Sequence, residues 1–389
     1  MYAFQNYNKI SLNTSFSFIN ILGFTFIEMF KKISSFSLWL IFISCFLVFS
    51  NLTYAQEKNK KETDSVKNFD LKVMPYISYN RNLEFMIGAI PMAMYRTSAT
   101  DTISPKSISG LVAVYTTNKS YVFSGFTKLY FAEDYWRLKG YVFTGNLNSQ
   151  VYIEDVLNSG FYDYNTVATI FFGGAERRIY RNIYAGLGYG YARFNSVVEE
   201  SEGEESKSTT HNMEISLLSD TRNDQYYPTL GHNTQIKWRS FAKWLGNDQV
   251  ANKIIISHNQ YIPLREDKDV LAARIHGEFG LGTILFEQQV VIGGKDIRGY
   301  SESKYRGDGL LSLQGEYRWN FGKKMGLVGF AGVATIYGSQ NPDFDWKLYP
   351  GGGLGYRYKV FKDSGFNIGL DAAVGKEDWG VNFRIGESF

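Results

Sequence analysis

The sequence predicts an all-β chain that closes as a 16-stranded antiparallel transmembrane β-barrel. Three observations carry the prediction. Aromatic residues make up 17% of the chain, with 28 Tyr and 30 Phe beside 38 Gly and only 7 Pro, a balance that favours strands with aromatic surfaces. From about residue 71 onward, apolar residues recur at period two in runs of about 9–14 residues, the length a tilted strand needs to cross a bilayer. These runs number sixteen, and a bacterial single-chain barrel requires an even number.

The N-terminus reads as a targeting segment. Lys31 and Lys32 precede an apolar run from Ser37 to Ser50, and Thr53-Tyr54-Ala55 follows. A basic start, a short apolar centre and a small-residue end describe a secretory signal peptide with its cut after Ala55, so residues 1–55 are assigned to it. The run is short for a membrane anchor. Met29 alone opens a compact signal, so the true start is expected there. Cys45, the only cysteine of the chain, lies inside this segment. The mature chain is therefore expected to hold no disulfide and no thiolate site. Residues 56–70 are rich in Lys, Glu and Asp and read as a short polar leader. The formal net charge of +3 and the absence of a basic stripe argue against nucleic acid as a partner.

Residues 71–389 are assigned to the barrel. The runs fall at 83–96, 106–117, 120–131, 134–145, 150–157, 165–178, 182–197, 208–219, 231–242, 251–263, 269–283, 309–321, 325–338, 349–360, 364–374 and 379–388, the fifth being the weakest. Alternation is clearest between Leu311 and Phe321, where the odd positions are apolar or glycine and the even ones polar. Ile368, Leu370, Ala372 and Val374 repeat it, as do Val381, Phe383 and Ile385. A soluble sandwich shares this period, but it would seldom bury faces holding Glu316, Arg318, Asp371 and Arg384. Lys237 and Arg239 are expected to face the lumen with them.

Two connections stand out. If the first strand rises from the periplasm, 284–308 is the sixth outer loop and the longest. It carries Gly293-Gly294-Lys295-Asp296-Ile297-Arg298-Gly299-Tyr300, a tightly folding backbone around one fixed-charge fork suited to gripping a carboxylate. The turn 219–231 holds Asp220, Arg222, Pro228 and Gly231, residues that specify a turn on the periplasmic side. The acidic run from Glu199 to Glu205 reads as a solvated outer loop more readily than as a cation site.

Chemistry of other kinds is poorly represented. The four histidines show no metal-ligand spacing. Gly186, Gly188 and Gly190, like Gly351, Gly353 and Gly355, have no helix after them and read as glycines of a bending wall. No cofactor, no metal and no enzymatic activity are expected.

The two connections and the chain end resemble those of the bacterial surface antigen family, the outer-membrane assembly-factor superfamily of the BamA/TamA type. Gly293-Gly294 with Arg298-Gly299-Tyr300 resembles its sixth-loop motif. Asp220-Thr221-Arg222 with Tyr227-Pro228-Thr229 and Gly231 resembles its periplasmic turn before the ninth strand. Leu370 to Lys376 and the terminal Phe389 resemble its last two strands. The resemblance implies an integral outer-membrane barrel whose sixth loop folds back into the lumen. It implies that Arg298 contacts inner-wall carboxylates, with Glu316 at the twelfth-strand position. Where the family has an aspartate on the thirteenth strand, this chain has Gly332, which leaves Glu316 as the main partner. Phe389 is implied to be a C-terminal assembly signal. The periplasmic POTRA repeats have no counterpart here, so a short, POTRA-less member is expected.

The family inserts membrane proteins or translocates polypeptide or lipid across the outer membrane. The expected partners are outer-membrane lipid, client outer-membrane proteins and accessory lipoproteins. A passive porin-like channel and a structural outer-membrane protein remain open beside this. An insertase is expected to close weakly between its first and last strands, since an exposed edge is a template for a client strand.

Overall fold

A computed structural model describes residues 69–153, 160–198, 205–265, 268–293, 296–300, 304–322, 324–361 and 365–389. The signal peptide, the leader up to residue 68, most of the acidic run and Gly294 lie outside these residues. The described strands β1 (Phe69–Asn80), β2 (Glu84–Tyr95), β3 (Ser107–Thr116), β4 (Tyr121–Phe131), β5 (Trp136–Ile153), β6 (Gly160–Tyr180), β7 (Ile183–Val198) and β8 (Glu205–Asp220) form the first half. The second half is β9 (Gly231–Phe241), β10 (Ala251–Leu264), β11 (Asp269–Gly282), β12 (Gly309–Asn320), β13 (Met325–Tyr337), β14 (Tyr349–Phe361), β15 (Phe366–Gly375) and β16 (Asp378–Ile385). Each pairs antiparallel with its sequence neighbour, and β1 meets β16, so the sheet is a closed 16-stranded barrel. Pairing between sequence neighbours satisfies the backbone groups of the wall, each of which would cost several kcal/mol if left unpaired in lipid.

The strand total agrees with expectation through two compensating errors. The runs expected at 134–145 and 150–157 are one strand, β5, paired without a break to β6 from Trp136 to Ile153. The true first strand, β1, precedes the run expected at 83–96. Its start carries Asp70, Lys72 and Pro75, which disguise it as leader. Proline cannot donate to a ladder and is tolerated where a strand has an open edge. Because the two errors cancel before β6, the connection 283–308 still joins the eleventh and twelfth strands, as expected of the sixth loop.

The period-two pattern has its expected meaning along the C-terminal strands. On β12, Leu311, Leu313, Tyr317 and Trp319 are exposed to the lipid side, while Ser312, Gln314, Glu316 and Arg318 are buried inside. Near the start of the barrel the inner face is apolar instead. Met74, Ile90, Met92, Met94 and Ile108 pack there with Phe361 and Phe366 into one interior cluster.

The closure itself is short. β1 and β16 share two residue pairs, Tyr79 with Val381 and Asn80 with Gly380. By contrast β15 and β16 share eight pairs and β1 and β2 share twelve. Around the two pairs, the Ser78 hydroxyl donates to the Val381 carbonyl at 2.9 Å, and Tyr79 stacks on Trp379 with ring centroids 5.2 Å apart. The Arg81 guanidinium donates to the Glu377 carbonyl at 3.0 Å. Phe85 to Ile87, within the run 83–96 read as the first strand, lie on β2 and pair with β1 instead of forming the seam. Tyr79 takes their place.

Candidate functional site

The sixth loop makes its own small core before it reaches the inner wall. Val290 and Val291 pair antiparallel with Gly307 and Arg306, and the Ile292 amide donates to the Tyr305 carbonyl at 2.9 Å. This short ribbon holds the loop's two arms together. Ile292, Ile297, Tyr300 and Tyr305 then pack with Leu310, Ala334, Ile336 and Tyr349 of β12, β13 and β14.

The wall is cut back by glycine where the loop tip lies. A Cβ at Gly351 would stand 2.5 Å from the Arg298 carbonyl oxygen, and one at Gly332 would stand 2.9 Å from the Ile297 side chain. Gly299, with φ of +101°, comes so close to β15 that its own Cβ would meet the Val374 carbonyl carbon at 2.4 Å. Gly332, which replaces the expected aspartate, thus makes room for Ile297. The Tyr300 hydroxyl ties the tip down, donating to the Pro350 carbonyl at 2.6 Å and accepting from the Lys376 amide at 2.9 Å.

Seated this way, Arg298 is 3% exposed and forks between two carboxylates. One guanidinium nitrogen donates to Glu316 Oε1 at 2.5 Å and the other to Asp371 Oδ2 at 2.8 Å. The guanidinium carbon of the fork lies over the Phe330 ring, 3.3 Å from its centroid. So the second carboxylate is Asp371, supplied by β15. The sequence reading placed Asp371 on a polar face but did not connect it to the loop. No residue spacing could do so, because the connection depends on where the loop tip crosses the wall.

The two carboxylates belong to a larger network. Asp371 also accepts from Arg357 at 2.5 Å and from Arg384 at 2.8 Å. Glu316 also accepts from Arg318 at 3.1 Å. Glu387 accepts from Arg357 at 3.1 Å and lies 3.8 Å from Arg318. The network therefore joins the loop to β12, β14, β15 and β16. Buried charges are tolerated only when paired, and each of these is paired.

The end of the barrel opposite the sixth loop is filled by two further segments. Asp220, at the end of β8, accepts from Arg137 at 2.6 Å and from Arg222 at 2.8 and 2.9 Å. Burial alone would lower the Arg222 pKa, but the hydrogen bonds and charge of Asp220 raise it above its ordinary value. Gly231 has φ of +96°, and a Cβ there would meet the Thr221 carbonyl at 2.2 Å, so the turn needs glycine at that place. Pro228 is buried. Tyr226 donates to the Lys106 carbonyl and sets its ring edge-on to Phe366, while Asn320 donates to the Tyr227 hydroxyl at 2.8 Å. The turn thereby links the β3 side to the β12 and β15 side.

The last four residues form the second segment. The strand expected to reach 388 stops at Ile385, and Gly386, with φ of +75°, turns the chain. Phe389 packs against the interior cluster of Tyr261, Val270 and Ala272, and its main-chain oxygen accepts from Arg318 at 2.8 Å. Phe389 therefore lies inside the barrel end and not in the strand wall. Its inward course was not legible because a terminal aromatic after period-two residues reads as the next strand position.

Lys237 and Arg239 both approach Glu214, at 3.6 and 2.8 Å.

The comparisons with known proteins agree with this architecture. A family model described as the Omp85 superfamily domain matches residues 107–389. The chain belongs to the Omp85 superfamily, and it is an outer-membrane β-barrel. Its barrel is similar to that of BamA from Haemophilus ducreyi lacking POTRA domains 1–3, with a TM-score of 0.52 at 15% identity over 82% of this chain and 70% of that one. It is similar to CdiB from Acinetobacter baumannii, with a TM-score of 0.57 at 14% identity over 82% of this chain and 60% of that one. For CdiB from Escherichia coli the TM-score is 0.60 at 10% identity, over 83% of this chain and 63% of that one. The chain thus spans less than two thirds of the length of either CdiB. At these identities the likeness is one of fold. No curated protein matches the chain in sequence.

Proposed function

We propose that the barrel is a gate for inserting or translocating substrate at the outer membrane, opening laterally between β1 and β16. The observation that carries this reading is the two-pair seam between strands whose other ladders hold eight and twelve pairs. Parting the seam breaks few ladder bonds and frees strand edges to which a client strand can add. The arginine network supports the same reading. It fixes β16 to β12, β14 and the sixth loop through Asp371, so one seam edge is held while the other can swing.

A passive porin needs a clear lumen. Here the sixth loop, the turn after β8 and the C-terminal residues all pack within the barrel, which favours a gate over an open pore. In this role Phe389 serves as an assembly signal during biogenesis. Client outer-membrane proteins, with accessory lipoproteins, are the partners the proposal calls for.

The test pairs a client-insertion assay in liposomes with a bilayer conductance trace. The gate reading expects client insertion and no large steady conductance. Steady conductance without insertion would support a passive channel instead.

A further inference from the structure

Against the turn after β8 and the C-terminal residues lies a chamber of about 700 Å³. Its wall on β9, β10 and β11 is built from Lys237, Ser257, Asn259, Arg274 and His276. The register makes this one patch. Asn259 lies opposite Arg274, Ser257 opposite His276 and Gln235, and Lys237 is two residues further along its strand.

Most cations around the chamber are already used. Arg137 and Arg222 bind Asp220, Arg384 binds Asp371, and Lys139 binds Glu176 at 2.7 Å. Lys237 and Arg274 differ. Their nearest carboxylates are Glu214 at 3.6 Å and Asp296 at 3.8 Å, both beyond hydrogen-bond reach. Glu214 is moreover shared with Arg239. Around these two cations several buried polar atoms lack a protein partner: Arg274 Nε, His276 Nδ1, Asn259 Oδ1 and Asp296 Oδ1. His276 and Asn259 are 7% and 8% exposed and line the chamber. Of these, Arg274 Nε is a donor and His276 Nδ1 a ring nitrogen able to donate, and beside two cations held only loosely in a confined space they make a site for an oxyanion; Asn259 Oδ1 and Asp296 Oδ1 are acceptors that the hydroxyl of a protonated phosphate can meet. Asp296 of the sixth loop, 3.6 Å from His276 Nε2, stands at its edge as a loosely held carboxylate.

We propose that this patch is a binding site for a phosphate-type oxyanion, gripped by Lys237 and Arg274 with His276 beside them. A phosphate group offers several acceptor oxygens to donors arriving from neighbouring strands, which suits this arrangement. The inference rests on the chamber wall and not on seam opening, so it stands or falls separately from the gate reading.

Inorganic phosphate is the probe, titrated calorimetrically into the whole detergent-solubilised protein at low ionic strength, where screening is weakest. Saturable binding is expected. Arg274→Gln and Lys237→Gln should each weaken it about tenfold or more, while Lys207→Gln, at the exposed start of β8, should leave it unchanged. Heat-modifiable migration on gels verifies folding, and should Arg274→Gln not fold, Lys237→Gln carries the test. Mass spectrometry of membrane-purified protein separates the two sources of phosphate. Phospholipid retained by the parent chain and lost in the variant assigns a lipid headgroup, and free-phosphate binding without retained lipid assigns the ion. No saturable binding, or binding indifferent to both substitutions, would overturn the site.

Discussion

Replacing Arg298 tests the interior network in a way that depends on its charge count. Four guanidiniums, of Arg298, Arg318, Arg357 and Arg384, meet three carboxylates, of Glu316, Asp371 and Glu387. Arg298→Ala removes two charge-assisted hydrogen bonds and the contact with Phe330. It leaves three cations facing three anions, because Glu316 keeps Arg318 and Asp371 keeps Arg357 and Arg384. The expected loss is therefore at the low end for a broken buried pair, about 3 kcal/mol. Asp371→Asn removes the anion that three arginines share and should cost about 5 kcal/mol or more. Arg298→Lys should recover only part of the loss, since one ammonium cannot span carboxylates on β12 and β15 as the fork does. Urea unfolding of the barrel in lipid vesicles, followed by tryptophan fluorescence and heat-modifiable migration, measures all three. A stable Arg298→Ala barrel, or one less stable than Asp371→Asn, would refute this reasoning.

Other consequences follow from the same geometry. Gly351→Leu should displace the loop tip, because its side chain would occupy the place of the Arg298 carbonyl; protease cutting within 283–308 should rise, and an unchanged digest would count against the seat. Gly231→Ala should destabilise the turn after β8 by about 1–2 kcal/mol, read as a lower unfolding midpoint. Removing Phe389 should lower the amount of protein in the outer membrane while the fraction that assembles still shows heat-modifiable migration; unchanged levels would remove its role as a signal. Asp101, in the connection after β2, has an acid signature. Burial raises its pKa, but hydrogen bonds from Ser104, Glu133 and Ile103 outweigh that and hold it at about 2 instead of 3.8. A lowered carboxylate contributes its stability above its unfolded value and loses it as the pH falls through the folded one. The melting difference between the parent chain and Asp101→Asn should be present at neutral pH and vanish as the pH drops from 3.8 toward 2.

The wall of the barrel was legible because lipid on one side and polar lumen on the other impose a strict alternation. Leu311 to Phe321 reads directly as β12 for that reason. Where both faces are apolar, as on β2 with Phe85 and Ile87 outside and Met92 and Met94 inside, the run 83–96 still marks the strand, but alternation does not say which face is which. Charged ends hide a strand, as Asp70 and Lys72 do for β1. Within the site, Arg298 and Glu316 could be singled out from motif and alternation. Asp371 could not be joined to them, nor Phe389 placed inside the barrel end. Both depend on paths that loop and tail take through the lumen, which no local pattern records. Gly332 shows the converse case. A missing carboxylate read as a weakened grip is, in three dimensions, space for Ile297 beside a grip completed from another strand.

Locking the seam is the most direct test of lateral opening. The only cysteine, Cys45, precedes the cut proposed for the signal peptide, so Tyr79→Cys with Val381→Cys can be introduced at directly paired positions without background. The oxidised double variant should fold and keep its heat-modifiable migration, yet fail to insert a client barrel into liposomes. Reduction should restore insertion to the level of the parent chain. Undiminished insertion by the oxidised, fully cross-linked barrel would contradict lateral opening between β1 and β16.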